Sequence, residues 1–152
     1  MDDDLLSWVS DGFLPHVQEL ALAYVLAFPI GWNRERSARS AGIRTFPLVA
    51  LASCGVVQAA ESFAHGNAEA MARIIEGIIT GMGFIGGGAI LQNKDGVHGT
   101  ATAASLWVTG TIGLSVGVGA YGVATALSVA TLITLWAMEP LKSSLSHTRS
   151  DQ

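Results

Sequence analysis

Charge is scarce in this sequence. Only 13% of its 152 residues are Asp, Glu, Lys or Arg, about half the share a soluble domain carries. A soluble helical bundle would also show polar faces at the helical period. Residues 112–121 and 127–138 carry no charged position on any face, so they have no solvated side. Cysteine is nearly missing as well. The single Cys54 cannot close an intramolecular disulfide and reads as a small packing residue. Alternation of apolar and polar residues, the mark of an outer-membrane barrel strand, is absent from the apolar runs. The start, Met1-Asp2-Asp3-Asp4, lacks the positive n-region of a cleavable signal, so the first apolar run is expected to stay in the mature protein.

What the chain has is long apolar stretches. Residues 17–32, 46–60, 74–91, 101–119 and 121–138 form five runs of about 15–19 residues each, and a helix needs about 20 to cross a bilayer. Polar flanks and local bilayer thinning cover the difference. The expected fold is an all-α membrane protein with about five transmembrane helices. Its organisation is an extracytoplasmic segment over 1–16, a transmembrane domain over 17–139 and a tail over 140–152.

The net charge of −4 says little, but its placement sets an orientation. Arg34, Arg36, Arg39 and Arg44 crowd the loop after the first run, and short basic loops stay cytoplasmic. Five crossings then put the N-terminus outside and the C-terminus inside. Lys94, Lys142 and Arg149 fall on the same inner side. Asp2, Asp3, Asp4, Asp11, Glu19, Glu61, Glu69 and Glu76 fall outside, with Arg73 their only basic companion.

The third run carries six glycines between Gly77 and Gly88. Each costs up to about 1 kcal/mol of helix propensity relative to alanine. Two readings offset that. Gly77/Gly81 and Gly83/Gly87 are G-x-x-x-G pairs that let helices approach closely. Alternatively, the helix breaks at Gly86-Gly87-Gly88, which is tolerated only against protein or a water-filled cavity. Gly113/Gly117 repeat the spacing in the fourth run. Thr102, Ser105, Thr109 and Thr111 there can bond to their own helix or to a neighbour. Gly117 to Gly122 form a tight turn. Pro29 is expected to kink the first helix, and Pro140 to stop the last, leaving a disordered tail from 143.

Enzyme signatures are missing: no G-x-x-x-x-G-K-[S/T] loop, no H-E-x-x-H and no Cys/His cluster. His16, His65, His98 and His147 lie far apart. No enzymatic activity and no nucleic-acid partner are expected, and no resident cofactor. Glu61 and Glu76, near the outer boundary of runs two and three, are the carboxylates that could hold a divalent cation such as Mg2+ if they face each other. Both can instead reach headgroups, with Arg73 at helical pair spacing from Glu69 and Glu76. The arginine cluster can set topology, or meet anionic lipid or a partner's acidic surface. Arg44, at the entrance of run two, is placed to bond the terminal carbonyls of a neighbouring helix.

Several motifs recur in order: Arg34-Glu35-Arg36; Gly42-Ile43-Arg44-Thr45; Gly81-Met82-Gly83-Phe84-Ile85-Gly86-Gly87-Gly88; and Gly99-Thr100-Ala101-Thr102-Ala103-Ala104-Ser105-Leu106-Trp107. Over about residues 20–119 the chain resembles the membrane domain of the MgtC/SapB family, nearer its SapB-like branch. The resemblance implies a multi-pass protein of the bacterial inner membrane. It implies adaptation to low magnesium and virulence inside macrophages, through modulation of another membrane machine such as an ATPase. It also marks Arg34, Glu35, Arg44, Thr45, Gly81, Gly83, Gly86, Gly87, Gly88, Gly99, Thr102, Ser105 and Trp107 as functional. Ending near Gln152, the chain is expected to lack the soluble C-terminal domain of longer members. The leading expectation is a small homo-oligomer, packed through glycine faces in the lipid bilayer, that modulates a membrane partner or ion homeostasis. The alternative is a small oligomeric transporter or channel for Mg2+ or another ion.

Overall fold

A computed structural model describes residues 12–37, 41–64, 66–93 and 96–149, with backbone alone for Asn93 and from 138 onward. Among these residues the chain forms five helices and one small hairpin. In order they are α1 (Leu14–Ser37), α2 (Thr45–Ala64), α3 (Ala68–Gly88), β1 (Leu91–Asn93), β2 (Gly96–His98), α4 (Thr100–Gly117) and α5 (Tyr121–Arg149). The strands pair antiparallel, Leu91 opposite His98 and Asn93 opposite Gly96.

Local chemistry explains the boundaries. Asn67 caps α3, its side-chain oxygen accepting from the Glu69 and Ala70 N–H groups at 3.0 and 3.2 Å. Glu69 in the first turn complements the positive end of the helix dipole. Before α4 the chain turns at Gly99, φ +86°, where a Cβ would also run into the Ala89 carbonyl oxygen. Only glycine satisfies both demands.

α4 is the central helix and packs against each of the other four. The core around it is formed by Ala23, Ala27 and Ile30 of α1, Phe46, Ala50 and Cys54 of α2, Leu106, Ile112 and Val116 of α4, and Ala124 of α5. Small residues let backbones approach. A Cβ on Gly113 would strike the Ala50 carbonyl oxygen, one on Gly110 the Met82 sulfur, and one on Gly117 would lie 2.8 Å from Val57 Cβ. In a setting that offers the backbone and hydroxyls no water, polar groups must be satisfied internally. Ser105, Thr109 and Thr111 accordingly donate to carbonyls one turn back in their own helix, at 2.7, 2.8 and 3.1 Å. Ser128 instead crosses to the Leu26 carbonyl of α1 at 2.7 Å.

α3 stands at the edge of the bundle. Only Met82 and Gly86 are buried along its length, and Phe84 is 85% exposed. α2 and α3 are each long and apolar enough to cross a membrane. They differ in setting: 44% of the α2 window is buried within the chain, against 11% for α3.

The structure decides between the two readings of α3, adds a hairpin, keeps Pro29 within α1, and corrects the sequence expectation at the end of α5. α3 is not broken at its glycines but runs unbroken to Gly88 and ends there, because the Ala89 and Ile90 N–H groups still close onto Gly86 and Gly87. The hairpin that follows was not foreseen, although Asp95-Gly96 is a turn dipeptide. α1 runs through Pro29 to Ser37 without ending. α5 passes Pro140 and continues to Arg149, so the segment from 143 is helical rather than disordered. A proline removes one backbone donor, and a helix of 29 residues retains its remaining ladder.

Candidate functional site

The antiparallel order of helices brings most of the singled-out residues to one end of the bundle, where α1 and α3 finish and α2 and α4 begin. Arg34 and Glu35 lie in the last turns of α1, Arg44 and Thr45 at the entry to α2, Gly86 to Gly88 at the end of α3, and Gly99 before α4. Residues far apart in sequence thus lie toward one end of the bundle.

Glu35 closes the junction between α1 and α2. Its Oε2 accepts from the Ile43 N–H at 3.0 Å, holding the incoming strand of chain across the end of α1. Gly42 leaves room for this bond, since a Cβ there would displace the Glu35 carboxylate. Gly42 also offers its carbonyl to the Thr45 and Phe46 N–H groups at 3.0 and 3.3 Å, starting α2. Gly31 completes the close fit, 3.1 Å from Phe46 Cβ by its own ideal Cβ position. Asn33 and Arg34 are buried here, each 8% exposed. Arg36 lies over the Trp32 ring, 5.0 Å from its centroid, a cation–π contact beside a cavity that Phe28 and Trp136 also line.

Arg44 behaves differently. It is exposed, and among the described residues its side chain makes no hydrogen bond or ion pair, so the expected bond to a neighbouring helix terminus is not formed. Instead it stands with Thr45 at the mouth of a cavity of about 500 Å3 between α2 and α3. The walls are apolar, from Leu48 to Val56 on one side and Ile78 to Ile85 on the other. Gly81 lies in that wall.

The other glycines of α3 separate by function of position. Gly86 approaches the Ala103 backbone of α4, its ideal Cβ 3.4 Å from the carbonyl oxygen. Gly77, Gly81, Gly83, Gly87 and Gly88 meet nothing within 4 Å. The G-x-x-x-G pairs of α3 therefore make no contact inside the chain, whereas Gly113 and Gly117 of α4 do. Thr102 and Ser105 are buried on α4, while Trp107 points outward and is 44% exposed.

Glu61 and Glu76 are both exposed. The α2–α3 turn at Gly66 and Asn67 sets Glu61 level with Met71, with which it shares a cavity of about 430 Å3. Glu76 lies about 7 Å further along α3 at the helical rise and does not line that cavity. No cluster of three or more His, Cys, Asp or Glu side chains suited to a metal forms among the described residues. Mg2+ takes one or two carboxylates with several waters, a demand that Glu61 alone meets only in part.

A second polar junction, missed in the sequence, closes the opposite end. Glu19 of α1 accepts from Gln58 Nε2 of α2 at 2.8 Å and from the Tyr121 hydroxyl of α5 at 2.7 Å. Gln58 also donates to the His16 carbonyl at 3.1 Å. The signal was present: Glu19 precedes the buried Ala23 and Ala27 at intervals of four, which places it on the inward face of α1.

With the geometry in view, the sequence comparisons are specific. The sequence model of the MgtC family matches residues 20–144. The chain belongs to the MgtC family. The match extends beyond the motifs, through α4 and most of α5. The chain is similar to SrpB of Synechococcus elongatus, 36% identical over 128 residues covering 76% of this chain and 70% of SrpB. It is similar to YhiD of Escherichia coli, described as a candidate magnesium transporter, 34% identical over 125 residues covering 76% of this chain and 57% of YhiD. It is also similar to MgtC of Salmonella typhimurium, 34% identical over 115 residues covering 76% of this chain and 48% of MgtC. The chain thus spans about half the length of YhiD and MgtC. No solved structure matches it. Family membership together with the apolar helices makes this a helical membrane protein.

Proposed function

We propose that this chain is a multi-pass protein of the bacterial inner membrane that acts in magnesium homeostasis by modulating another membrane protein, such as an ATPase. The observation that carries the reading is α3, a helix apolar enough to span a membrane that leaves five of its six glycines uncovered. Inside the chain the glycine spacing of α4 brings helices together, and the same spacing on α3 offers that geometry to a helix from elsewhere. The same face serves a homo-oligomer. The centre of the bundle supports a modulator over a conduit, because it is filled by Ala27, Ala50, Ile112 and Val116 and its α4 hydroxyls bond within their own helix.

The orientation we propose has five crossings, the N-terminus outside and the arginine-rich end in the cytoplasm. Residues 1–16 are then extracytoplasmic and 17–139 form the membrane domain. Residues 140–152 are cytoplasmic, with α5 extending into that side as far as Arg149. A reporter enzyme active only in the periplasm, fused after Gln152, should stay silent.

A second reading is an oligomeric magnesium transporter, favoured by the description of YhiD and by the cavity at Glu61. Mg2+ flux into proteoliposomes decides between them. Flux no greater than in protein-free vesicles supports the modulator. Flux that Glu61→Gln lowers supports transport and overturns it.

A further inference from the structure

The cavity between α2 and α3 has one apolar length and one charged mouth. The geometry points to a binding site for one anionic phospholipid, with an acyl chain lying along the α2–α3 groove and the phosphate held by Arg44. The inference rests on the membrane location proposed above but on neither the modulator nor the transporter reading.

Three features fit that ligand and no water-soluble one. First, beyond the mouth the walls are apolar but for Ser53, with Leu48, Ala52, Val56, Ile78 and Ile85 offering nothing to a polar solute. Second, the groove runs along α2 from Arg44 to Val56, about 18 Å at the helical rise. One leaflet is half of a hydrocarbon core of about 30 Å, so an acyl chain that starts at the headgroup level and follows α2 finds wall along its whole depth. Third, the charge is in the right place. Arg44 begins at the level where the helix enters the membrane, it is exposed, and its guanidinium forms no ion pair or hydrogen bond among the described residues. A guanidinium presents a planar fork of donors that matches a phosphate. The Thr45 side chain shares the mouth.

Gly81 keeps the groove open. A Cβ on it meets nothing within 4 Å, because it faces the cavity. Gly83 and Gly87 are about 200° and 240° further around the helix and face away. Lipid on one side of α3 and a protein helix on the other are therefore compatible. The lipid would fill space that the fold leaves beside its least buried membrane helix.

The test is native mass spectrometry of the full chain purified in detergent, titrated with phosphatidylglycerol or with phosphatidylcholine of the same acyl chains. The wild type should retain one phosphatidylglycerol in preference to phosphatidylcholine. Arg44→Gln should weaken phosphatidylglycerol retention about five-fold, the scale of one basic group near an anionic surface, and leave phosphatidylcholine unchanged. Gly81→Leu should reduce both, and its helical circular dichroism should match the wild type. Inorganic phosphate should not compete. Equal retention of the two lipids by the wild type would overturn the proposal, as would Arg44→Gln with undiminished phosphatidylglycerol. A lipid-free dimer that Gly81→Leu splits would assign the groove to a second copy of the chain and overturn it too. Should Gly81→Leu misfold, Arg44→Gln, changed at an exposed side chain, still decides the matter.

Discussion

Gly113 of α4 lies directly against the Ala50 carbonyl oxygen of α2, so close that the methyl group of an alanine has no room. With Gly110 against the Met82 side chain and Gly117 against Val57 and the Cys54 carbonyl oxygen, it defines a seam of close contact between the central helix and its neighbours. Such contact gains many dispersion interactions at once, each of them small, where no difference in apolarity between protein and lipid drives helices together.

Gly113→Ala should therefore destabilise the folded protein by about 1–3 kcal/mol, the usual cost of overpacking a core. Gly77→Ala should be neutral or stabilise by up to about 1 kcal/mol, since the position is open and alanine is the better helix former. Thermal or denaturant unfolding in detergent separates the two. Equal losses would show that the seam is not what makes Gly113 special.

Glu19 joins three helices, and its partners can be removed one at a time. Tyr121→Phe should lower the unfolding temperature slightly, because it removes a hydrogen bond that water can partly replace. Glu19→Ala should cost more, because it also takes the acceptor from Gln58 and leaves a buried donor short of a partner. A double-mutant cycle between positions 19 and 121 should return a coupling well above zero. Strict additivity would mean that the bond contributes nothing.

Glu35 pins the loop into α2 through the Ile43 N–H. Glu35→Ala should release that loop and speed tryptic cleavage at Arg44 several-fold in detergent, since proteolysis follows local opening. Gly42→Ala should act in the same direction by displacing the Glu35 carboxylate. Cleavage at the wild-type rate in both variants would remove the junction from consideration.

Gly87 tests the outward face of α3. Gly87→Leu should reduce the oligomer mass seen by light scattering in detergent and leave the unfolding temperature of the chain unchanged, because the position meets nothing within 4 Å. Loss of stability without change of mass would instead place Gly87 in the core.

The outcome at individual residues shows where sequence reasoning reached and where it stopped. The glycine spacing announced close helix packing, and at Gly113 and Gly117 that is the finding. The identical spacing at Gly77/Gly81 and Gly83/Gly87 has no partner within the chain. Spacing describes one helix, whereas contact depends on which neighbour stands opposite. Arg34, Glu35, Arg44 and Thr45 were noticed as motif residues, yet only chain reversal set Arg44 and Thr45 across a groove from Ile85 of α3. Glu19 was counted as one of several outer acids. Its partners, Gln58 and Tyr121, are 39 and 102 residues away, too far for any local pattern to pair them.

Composition and periodicity alone determined that this chain is helical and built for an apolar surrounding, because long runs without charge leave no other way to satisfy both side chains and backbone. Tertiary structure decided which helix lies at the centre and which stands at the edge, which glycines are covered, and that a groove opens beside Arg44. Those properties belong to pairs of helices. Their distances are set by the shapes of surfaces that meet only after the chain has turned back on itself.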